Sequence, residues 1–181
     1  MINNTQSAAS AEKIRTIIRD VPDFPKKGII FKDITPLLAD NAAFAEAVKC
    51  IADAYKGRGI TKVLGIEARG FILAAPVALA LGAGMVPVRK KGKLPYKTVS
   101  ATYALEYGED TLQMHEDAIK KGEKVLIVDD VLATGGTAAA VIALAEKLGG
   151  KVESLAVLIE LEFLAGRKKL PGREVFSVIK Y

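Results

Sequence analysis

The chain has 181 residues, half of them hydrophobic, which is enough for one domain with a substantial core. Its net charge is +5, and its single cysteine, Cys50, and single histidine, His115, exclude an internal disulfide and a metal cluster of cysteines and histidines. The start has no basic region followed by an apolar run, and the longest apolar stretch, 71–81, is too short to span a bilayer. We therefore expect a cytoplasmic, single-domain protein that does not enter membranes.

The first forty residues predict a helix followed by a long loop. Residues 1–9 are small and polar, and Ser10 is a suitable cap for a helix that runs to about Arg19. Residues 20–36 contain three prolines, which predicts a loop with a short extended piece at 28–31. Connections between helices are usually shorter than about eight residues. This loop carries three large apolar residues in a row, so we expect it to pack over another part of the molecule.

From residue 40 onwards, helical and extended patterns alternate. Asp40 or Asn41 is a suitable cap for a helix over 42–55, and further helices are predicted from about 70 to 81 and from 138 to 147. Apolar runs predict strands over 62–67, 85–88, 125–128, 152–159 and 175–179. We expect the last of these strands to lie at an edge of the sheet. Residues 93–115 predict a hairpin-like excursion. Strands that alternate with helices are typical of the α/β class, with a doubly wound, mostly parallel sheet flanked by helices.

The stretch VLIVDDVLATGGTA, residues 125–138, carries the strongest chemical signal. Asp129 and Asp130 follow a buried strand, and the carboxyl edge of such a sheet is where ligands bind. Gly135 and Gly136 permit a tight turn whose amides approach an anion, and the next helix points its N-terminus there. The alternative is a strand end followed by a helix cap, with Thr134 or Thr137 as the N-cap residue. Two adjacent carboxylates beside a buried strand cost desolvation, which favours a site for a phosphorylated sugar and a metal.

Two further segments predict anion binding. Arg69 lies in a glycine turn after the second predicted strand, although pairing with a surface acid or capping a helix would also explain it. The basic run 89–97 follows the third strand and could equally be a solvated face or a nucleic-acid patch. Only one aromatic residue, Tyr96, interrupts that run. We therefore favour a polyanionic small molecule and expect no nucleic-acid partner.

The motif at 125–138 resembles the phosphoribosyl-pyrophosphate motif of the type I phosphoribosyltransferases, in order and in spacing. The resemblance implies that Asp129 and Asp130 contact the ribose hydroxyls, partly through Mg²⁺. It also implies that Arg69, Lys90 and Lys93 hold pyrophosphate. The residues implied for the 5′-phosphate are Ala133, Thr134, Gly135, Gly136 and Thr137.

The segment LEYG, residues 105–108, resembles the mobile lid of the same family. By itself Glu106 is an ordinary exposed acid. The resemblance implies that it exchanges a proton with a purine base as the glycosidic bond forms, and that Tyr107 helps to close the lid over 89–115. His115 has no evident partner and receives no role.

Residues 23–38, together with RKKGKLP and ALEYG, resemble the subgroup of the family that uses adenine. The resemblance implies that residues 1–36 form an N-terminal helix and a hood over the base. The backbone of Ile30 and Lys32 would then read the amino edge of adenine, Phe31 would anchor the loop, and Ile30 and Val131 would pack on the ring faces. The implied products are AMP and pyrophosphate, and the implied assembly is a homodimer.

Two alternatives remain open at this stage. The base could be another purine, namely hypoxanthine, guanine or xanthine. The chain could also be a regulator that senses phosphoribosyl pyrophosphate without catalysis, although such a protein would need a DNA-binding surface and would not need an acid at Glu106.

Overall fold

The structure is a computed structural model that describes residues 4–104 and 108–181. Two antiparallel strands form a small hairpin, and seven others form the main sheet in the order β5-β6-β4-β3-β7-β8-β9. The strands are β1 (Arg19–Pro22), β2 (Ile30–Asp33), β3 (Lys62–Ile66), β4 (Gly84–Lys90), β5 (Thr98–Ala104), β6 (Glu109–His115), β7 (Lys124–Leu132), β8 (Lys151–Glu160) and β9 (Val175–Lys180). The helices are α1 (Asn4–Ile17), α2 (Thr35–Ala39), α3 (Asn41–Tyr55), α4 (Gly70–Leu81) and α5 (Gly136–Lys147).

The main sheet is parallel except at one edge. β3 pairs in parallel with β4 and β7, β7 with β8, and β8 with β9, whereas β6 pairs antiparallel with both β4 and β5. The expected α/β architecture with a mostly parallel sheet is therefore confirmed, as are the hairpin-like excursion and the edge position of the last strand.

The centre of the sheet is apolar on both faces. All four side chains of 125–128 are fully buried in β7. One face packs with α1, α3 and α4, and the other packs with α5 and with the β5–β6 hairpin. Each large apolar side chain buried in this way stabilises the fold by roughly 1.5–3 kcal/mol. This rigid sheet fixes the positions of the strand ends from which the candidate site is built.

The N-terminal region differs from expectation. α1 begins at Asn4 rather than at Ser10, and the hydroxyl of Ser10 donates to Oε1 of Glu46 in α3 at 2.6 Å instead of capping the helix. The expected loop 20–36 contains the hairpin β1–β2 and the start of α2. Strands of only four residues, set in a proline-containing segment, carry too little periodicity to be recognised in sequence. The Asp40 cap is confirmed, since its carboxylate accepts from the amide of Ala43 at 2.8 Å.

The central strand is longer than expected. β7 continues to Leu132, so Asp129 and Asp130 lie inside the strand rather than beyond its end. Residues 129–132 pair with residues 157–160 of β8. Polar side chains end the apolar pattern, but the ladder continues because its hydrogen bonds join backbone groups. Within the described residues, the structure has no helix that is both long and apolar enough to cross a membrane.

Candidate active site

Residues 133–137, which we call the phosphate loop, connect β7 to α5. Gly135 has φ +81° and is the N-cap residue of α5, so the alternative in which Thr134 or Thr137 caps the helix is wrong. Because glycine has no side chain with which to bond the first amides of α5, the N-cap residue leaves those donors available to another acceptor. Beside the loop lies a cavity of about 80 Å³, and the expected site residues that line it are Asp129, Val131, Ala133, Thr134, Gly135 and Thr137.

Asp129 and Asp130 form an acidic pair at the base of this loop. Oδ1 of Asp129 accepts from the amide of Asp130 at 2.9 Å, and Asp130 is only 5% exposed. Burial raises the pKa of Asp129 well above its usual range, and the neighbouring charge of Asp130 raises it further. Burial also raises the pKa of Asp130, against the opposing effect of Arg69. A cation or hydrogen-bond donors at this position would therefore stabilise the charged pair.

Arg69 contacts both the acidic pair and the N-terminal hairpin. Its Nε lies 2.7 Å from Oδ2 of Asp130, in an ion pair whose angles are not those of a hydrogen bond. Its guanidinium carbon lies 5.1 Å from the ring centroid of Phe31 in β2, within the range of a cation–π contact. The structure thus joins three residues that the sequence assigned to three different parts of the site.

Gly70 allows the start of α4 to lie close to the acidic pair in β7. This packing of Gly70 was not predicted from the sequence. A Cβ atom on Gly70 would lie 2.8 Å from Oδ1 of Asp129 and 3.0 Å from the carbonyl oxygen of Val128. Only glycine allows the start of α4 to pack on β7 at the acidic pair. The RG dipeptide after a strand was the signal available in sequence.

The hairpin β1–β2 carries three of the four expected base-site residues, and the fourth, Val131, lies in β7. Ile30 is exposed, and Phe31 packs edge-to-face on Phe24 with ring centroids 5.2 Å apart. Nζ of Lys32 lies 2.7 Å from Oδ1 of Asp20 and 3.8 Å from the ring centroid of Tyr181. The Lys32 side chain therefore holds the hairpin together and holds it against the end of β9.

Glu67 organises the basic run and was not anticipated as a site residue. It accepts two bonds from the Arg89 guanidinium at 3.2 Å each and one from the Lys90 amide at 3.0 Å. The hydrogen bond from Arg89 holds the pKa of Glu67 below its usual range. Nζ of Lys90 lies 3.3 Å from Oδ2 of Asp110 in β6, and Lys93 is exposed. Within the described residues, no hydrogen bond or ion pair holds the side chain of Lys90 or Lys93 beside Arg69.

Glu106 and Tyr107 lie outside the described residues, so their positions stay predictions. The flanking strands β5 and β6 pair over their full length, from Thr98 opposite His115 to Ala104 opposite Glu109. His115 packs edge-to-face on Tyr96 at 6.0 Å, and its Nε2 has no hydrogen-bond partner within residues 4–104 and 108–181.

No group of three or more histidine, cysteine, aspartate or glutamate side chains in the described part of the chain could hold a metal ion. The acidic pair supplies two carboxylates. Mg²⁺ is commonly held by one or two carboxylates together with substrate phosphates and water. The donors present therefore fit a magnesium ion that arrives with a phosphorylated substrate.

A mostly parallel α/β sheet that carries an acidic pair and a glycine-rich phosphate loop on its central strand defines a nucleotide- or sugar-phosphate-binding class of protein. Residues 33–179 match the family model described as phosphoribosyl transferase domain. The chain is 59% identical over 170 residues to the adenine phosphoribosyltransferase of Geobacter metallireducens, and the match covers 94% of this chain and 99% of that relative.

Solved structures agree with this relationship. The adenine phosphoribosyltransferase of Thermoanaerobacter pseudethanolicus superposes with a TM-score of 0.92 at 54% identity, covering 94% of this chain and 99% of that one. The Saccharomyces cerevisiae enzyme, solved with adenine and an imino-altritol bisphosphate, gives 0.90 at 39% identity, with the same coverage. The chain belongs to the phosphoribosyltransferase family, in its adenine phosphoribosyltransferase branch. It is accordingly an enzyme of the pentosyl transferase type.

Proposed function

We propose that this enzyme joins adenine to the ribose 5-phosphate of phosphoribosyl pyrophosphate and releases AMP and pyrophosphate, a purine-salvage reaction. The observation that carries the proposal is the phosphate loop beside the Asp129–Asp130 pair on the central strand. Membership of the adenine phosphoribosyltransferase branch supports the choice of base.

The acidic pair and the phosphate loop hold the ribose 5-phosphate. Asp129 and Asp130 accept hydrogen bonds from the vicinal hydroxyls of the ribose. The amides of 133–137 and the hydroxyls of Thr134 and Thr137 surround the 5′-phosphate, which also lies at the positive end of the α5 dipole. Charge-assisted contacts of this kind are worth roughly 1.5–3 kcal/mol each.

Arg69, Lys90 and Lys93 hold the pyrophosphate. Arg69 pairs with Asp130, so binding of ribose and pyrophosphate would exchange that contact for contacts with the substrate. Asp129 and Asp130, together with substrate oxygens, would hold Mg²⁺. The ion would neutralise the negative charge that builds up on the leaving pyrophosphate.

Adenine binds beneath the β1–β2 hairpin. A backbone carbonyl and a backbone amide from Ile30 and Lys32 match the amino group and N1 of adenine, while Ile30 and Val131 cover the ring faces. A 6-oxopurine presents the opposite donor and acceptor pattern, at a cost of roughly 1–3 kcal/mol for each unpaired group. The Lys32 side chain is bound to Asp20 and Tyr181. The contact with the base is therefore assigned to the backbone of Lys32 and not to its side chain. Phe31 anchors the hairpin through Phe24 and Arg69.

Glu106 exchanges the proton of the purine ring as the glycosidic bond forms, and Tyr107 closes the lid. A general acid or base of this type contributes about 10²–10⁴-fold to the rate. Closure excludes water, which would otherwise compete with adenine for the electron-poor sugar carbon. We place the enzyme in the cytoplasm, where its one half-buried thiol, Cys50, would remain reduced.

The direct test supplies the protein with phosphoribosyl pyrophosphate, Mg²⁺ and each purine in turn, and measures release of pyrophosphate. We expect release with adenine and little with hypoxanthine, guanine or xanthine. Activity restricted to a 6-oxopurine would overturn the choice of base. If no base supports release, the protein is a phosphoribosyl-pyrophosphate sensor rather than a catalyst.

We also propose that the enzyme is a homodimer that associates through the outer face of α4. This helix is apolar on all sides, yet Ile72 is 41% exposed and Leu79 is 83% exposed. A helix of that composition is normally covered. The adjoining groove between α3 and α4 is rimmed by a bonded Lys49–Asp53 pair, so the surface carries both charge signs beside its apolar strip. A twofold contact needs such a self-complementary surface.

Replacing Leu79 by glutamate should therefore convert the dimer to a monomer, since a charge would be desolvated at the centre of the contact. Light scattering coupled to size-exclusion chromatography measures the change. Phe163→Glu is the matched control, because Phe163 is 74% exposed but lies in the turn after β8. A dimer that persists in the Leu79 variant, or that is lost in the Phe163 variant, would place the interface elsewhere.

A further inference from the structure

The backbone of Gly166 lies directly against the phosphate loop. A Cβ atom on Gly135 would overlap the carbonyl oxygen of Gly166 and lie 3.1 Å from its carbonyl carbon. In the reverse direction, a Cβ atom on Gly166 would overlap the carbonyl oxygen of Ala133 and lie 3.0 Å from Cδ1 of Leu132. The two backbones touch with no side chain between them. The position of Gly166 therefore limits where the phosphate loop can lie.

Gly166 begins a short 3₁₀ turn, Gly166–Lys169, and the next residue fixes that turn to the sheet. The guanidinium of Arg167 donates from Nε and Nη2 to the two carboxylate oxygens of Glu160, at 2.5 and 2.7 Å. Its Nη1 donates to the carbonyl oxygen of Val175 at 3.1 Å. The hydroxyl of Ser177 donates to Oε2 of the same carboxylate at 2.7 Å. The turn is thus tied to the carboxyl-terminal end of β8 and to the amino-terminal half of β9.

Glu160 is in register with the point at which the phosphate loop leaves the sheet. It pairs with Leu132, the last residue of β7, and the amide of Leu161 donates to the carbonyl oxygen of Leu132 at 3.0 Å. Glu160 is only 4% exposed, and the hydrogen bond from Arg167 holds its pKa below its usual range. A buried carboxylate that loses its partner is strongly destabilising, so the pair constrains the turn tightly.

We propose that Glu160 and Arg167 are positioning residues for the phosphate loop, an inference that rests on the proposed function. They hold the Gly166 backbone against residues 133–135, and the loop amides are thereby kept pointed at the 5′-phosphate. Neither side chain needs to touch the substrate. Their effect is on the geometry with which the loop holds the substrate. A displacement of about 1 Å in such a site can lower the reaction rate about 100-fold.

The first test replaces Arg167 by alanine and measures the affinity for ribose 5-phosphate by calorimetry. We expect the dissociation constant to rise about tenfold or more, because the loop amides lose their alignment. In steady-state assays the KM for phosphoribosyl pyrophosphate should rise while the KM for adenine stays unchanged. Arg167→Lys should restore only part of the affinity, since lysine keeps the charge but cannot form the two-bond fork.

Arg58→Ala is the matched control. Arg58 makes a similar fork to Glu174, with two further bonds to Glu153, at the other end of β8 from Glu160. General loosening of these two strands would therefore affect both arginine variants. An equal loss of ribose 5-phosphate affinity in the Arg58 variant would overturn the proposal.

Gly166→Ala tests the same contact without altering the ion pair, and keeps the proposal testable should the Arg167 variant not fold. It should weaken ribose 5-phosphate binding to a similar degree, because its methyl group would push on Ala133. The Gly166–Arg167 double variant should lose less than the product of the two single effects, since both act on one contact.

The outcomes separate this inference from the proposed function. Unchanged binding of ribose 5-phosphate in the Arg167 and Gly166 variants would overturn the positioning role and leave the proposed function standing. Binding of ribose 5-phosphate that depends on Arg167, in a protein that transfers no phosphoribosyl group from phosphoribosyl pyrophosphate to any base, would overturn the function and support the positioning role. A wild-type protein that does not bind ribose 5-phosphate would overturn both.

Discussion

Replacing Gly135 by alanine is expected to weaken the binding of phosphoribosyl pyrophosphate by about 100-fold or more. The new methyl group would overlap the carbonyl oxygen of Gly166 and come within 3.3 Å of its Cα. Backbone atoms cannot rotate away as a side chain can, so the phosphate loop itself must move. Residue 135 also has φ +81°, and an alanine in the left-handed region costs roughly 1–2 kcal/mol. Calorimetry with phosphoribosyl pyrophosphate and Mg²⁺ measures the loss.

Gly172→Ala separates the effect of the contact with Gly166 from the effect of the left-handed backbone conformation. Gly172 has φ +71°, but a Cβ atom there would meet no atom of the described residues within 4 Å. That variant should lose stability through backbone strain alone and keep its affinity for the sugar phosphate. If the Gly135 variant binds phosphoribosyl pyrophosphate as tightly as the wild type, the 5′-phosphate is not held by residues 133–137.

The centre of the fold was predictable because its determinants are local. The four apolar residues 125–128 have no polar face, a pattern typical of a strand covered on both sides, and all four are buried in β7. The length of β7 was not predictable in the same way, since the apolar pattern ends at Asp129 while the ladder continues opposite residues 157–160 of β8. That extension depends on the partner strand, which the residues of β7 do not specify.

The sequence predicts the candidate site as a set of residues but not as a set of contacts. The motif predicts the acidic pair and the phosphate loop from neighbours in sequence. The contacts of Arg69 with Asp130 and with the Phe31 ring, and the contact of Gly166 with the loop, join residues far apart in the chain. Such contacts follow from the packing of finished strands and helices. Gly166 in particular has no sequence signal beyond being a glycine in a basic turn.

Replacing Asp129 by asparagine is expected to slow the transferase while stabilising the ligand-free protein. The amide oxygen of asparagine can keep the 2.9 Å bond from the amide of Asp130, but it cannot offer a charged acceptor to the ribose hydroxyls or to Mg²⁺. Loss of one charge-assisted contact corresponds to about 10–100-fold in kcat/KM. At the same time, the substitution removes a carboxylate whose charge is disfavoured by burial and by Asp130.

The gain in stability should depend on pH in a definite direction. The folded protein raises the pKa of Asp129 above its unfolded value, so the folded state binds this proton more tightly. The associated stability of the wild type is fully present below the unfolded pKa and is lost as the pH rises through the raised folded pKa. Asparagine does not titrate. The variant should therefore exceed the wild type in Tm at neutral pH, and the difference should vanish as the pH falls towards the unfolded value of about 4.

Thermal unfolding of both proteins across this pH range measures the effect. For a chain of this size, each 1 kcal/mol of relieved repulsion and desolvation raises Tm by about 2–4 °C. Asp117→Asn is the control, because it makes the same substitution at an exposed acid and should leave the pH dependence of Tm unchanged. A variant that is less stable than the wild type at neutral pH would mean that the Asp129 carboxylate is held by favourable contacts. The acidic pair would then stabilise the fold itself. It would not be a pair of buried charges that is unfavourable until a ligand binds.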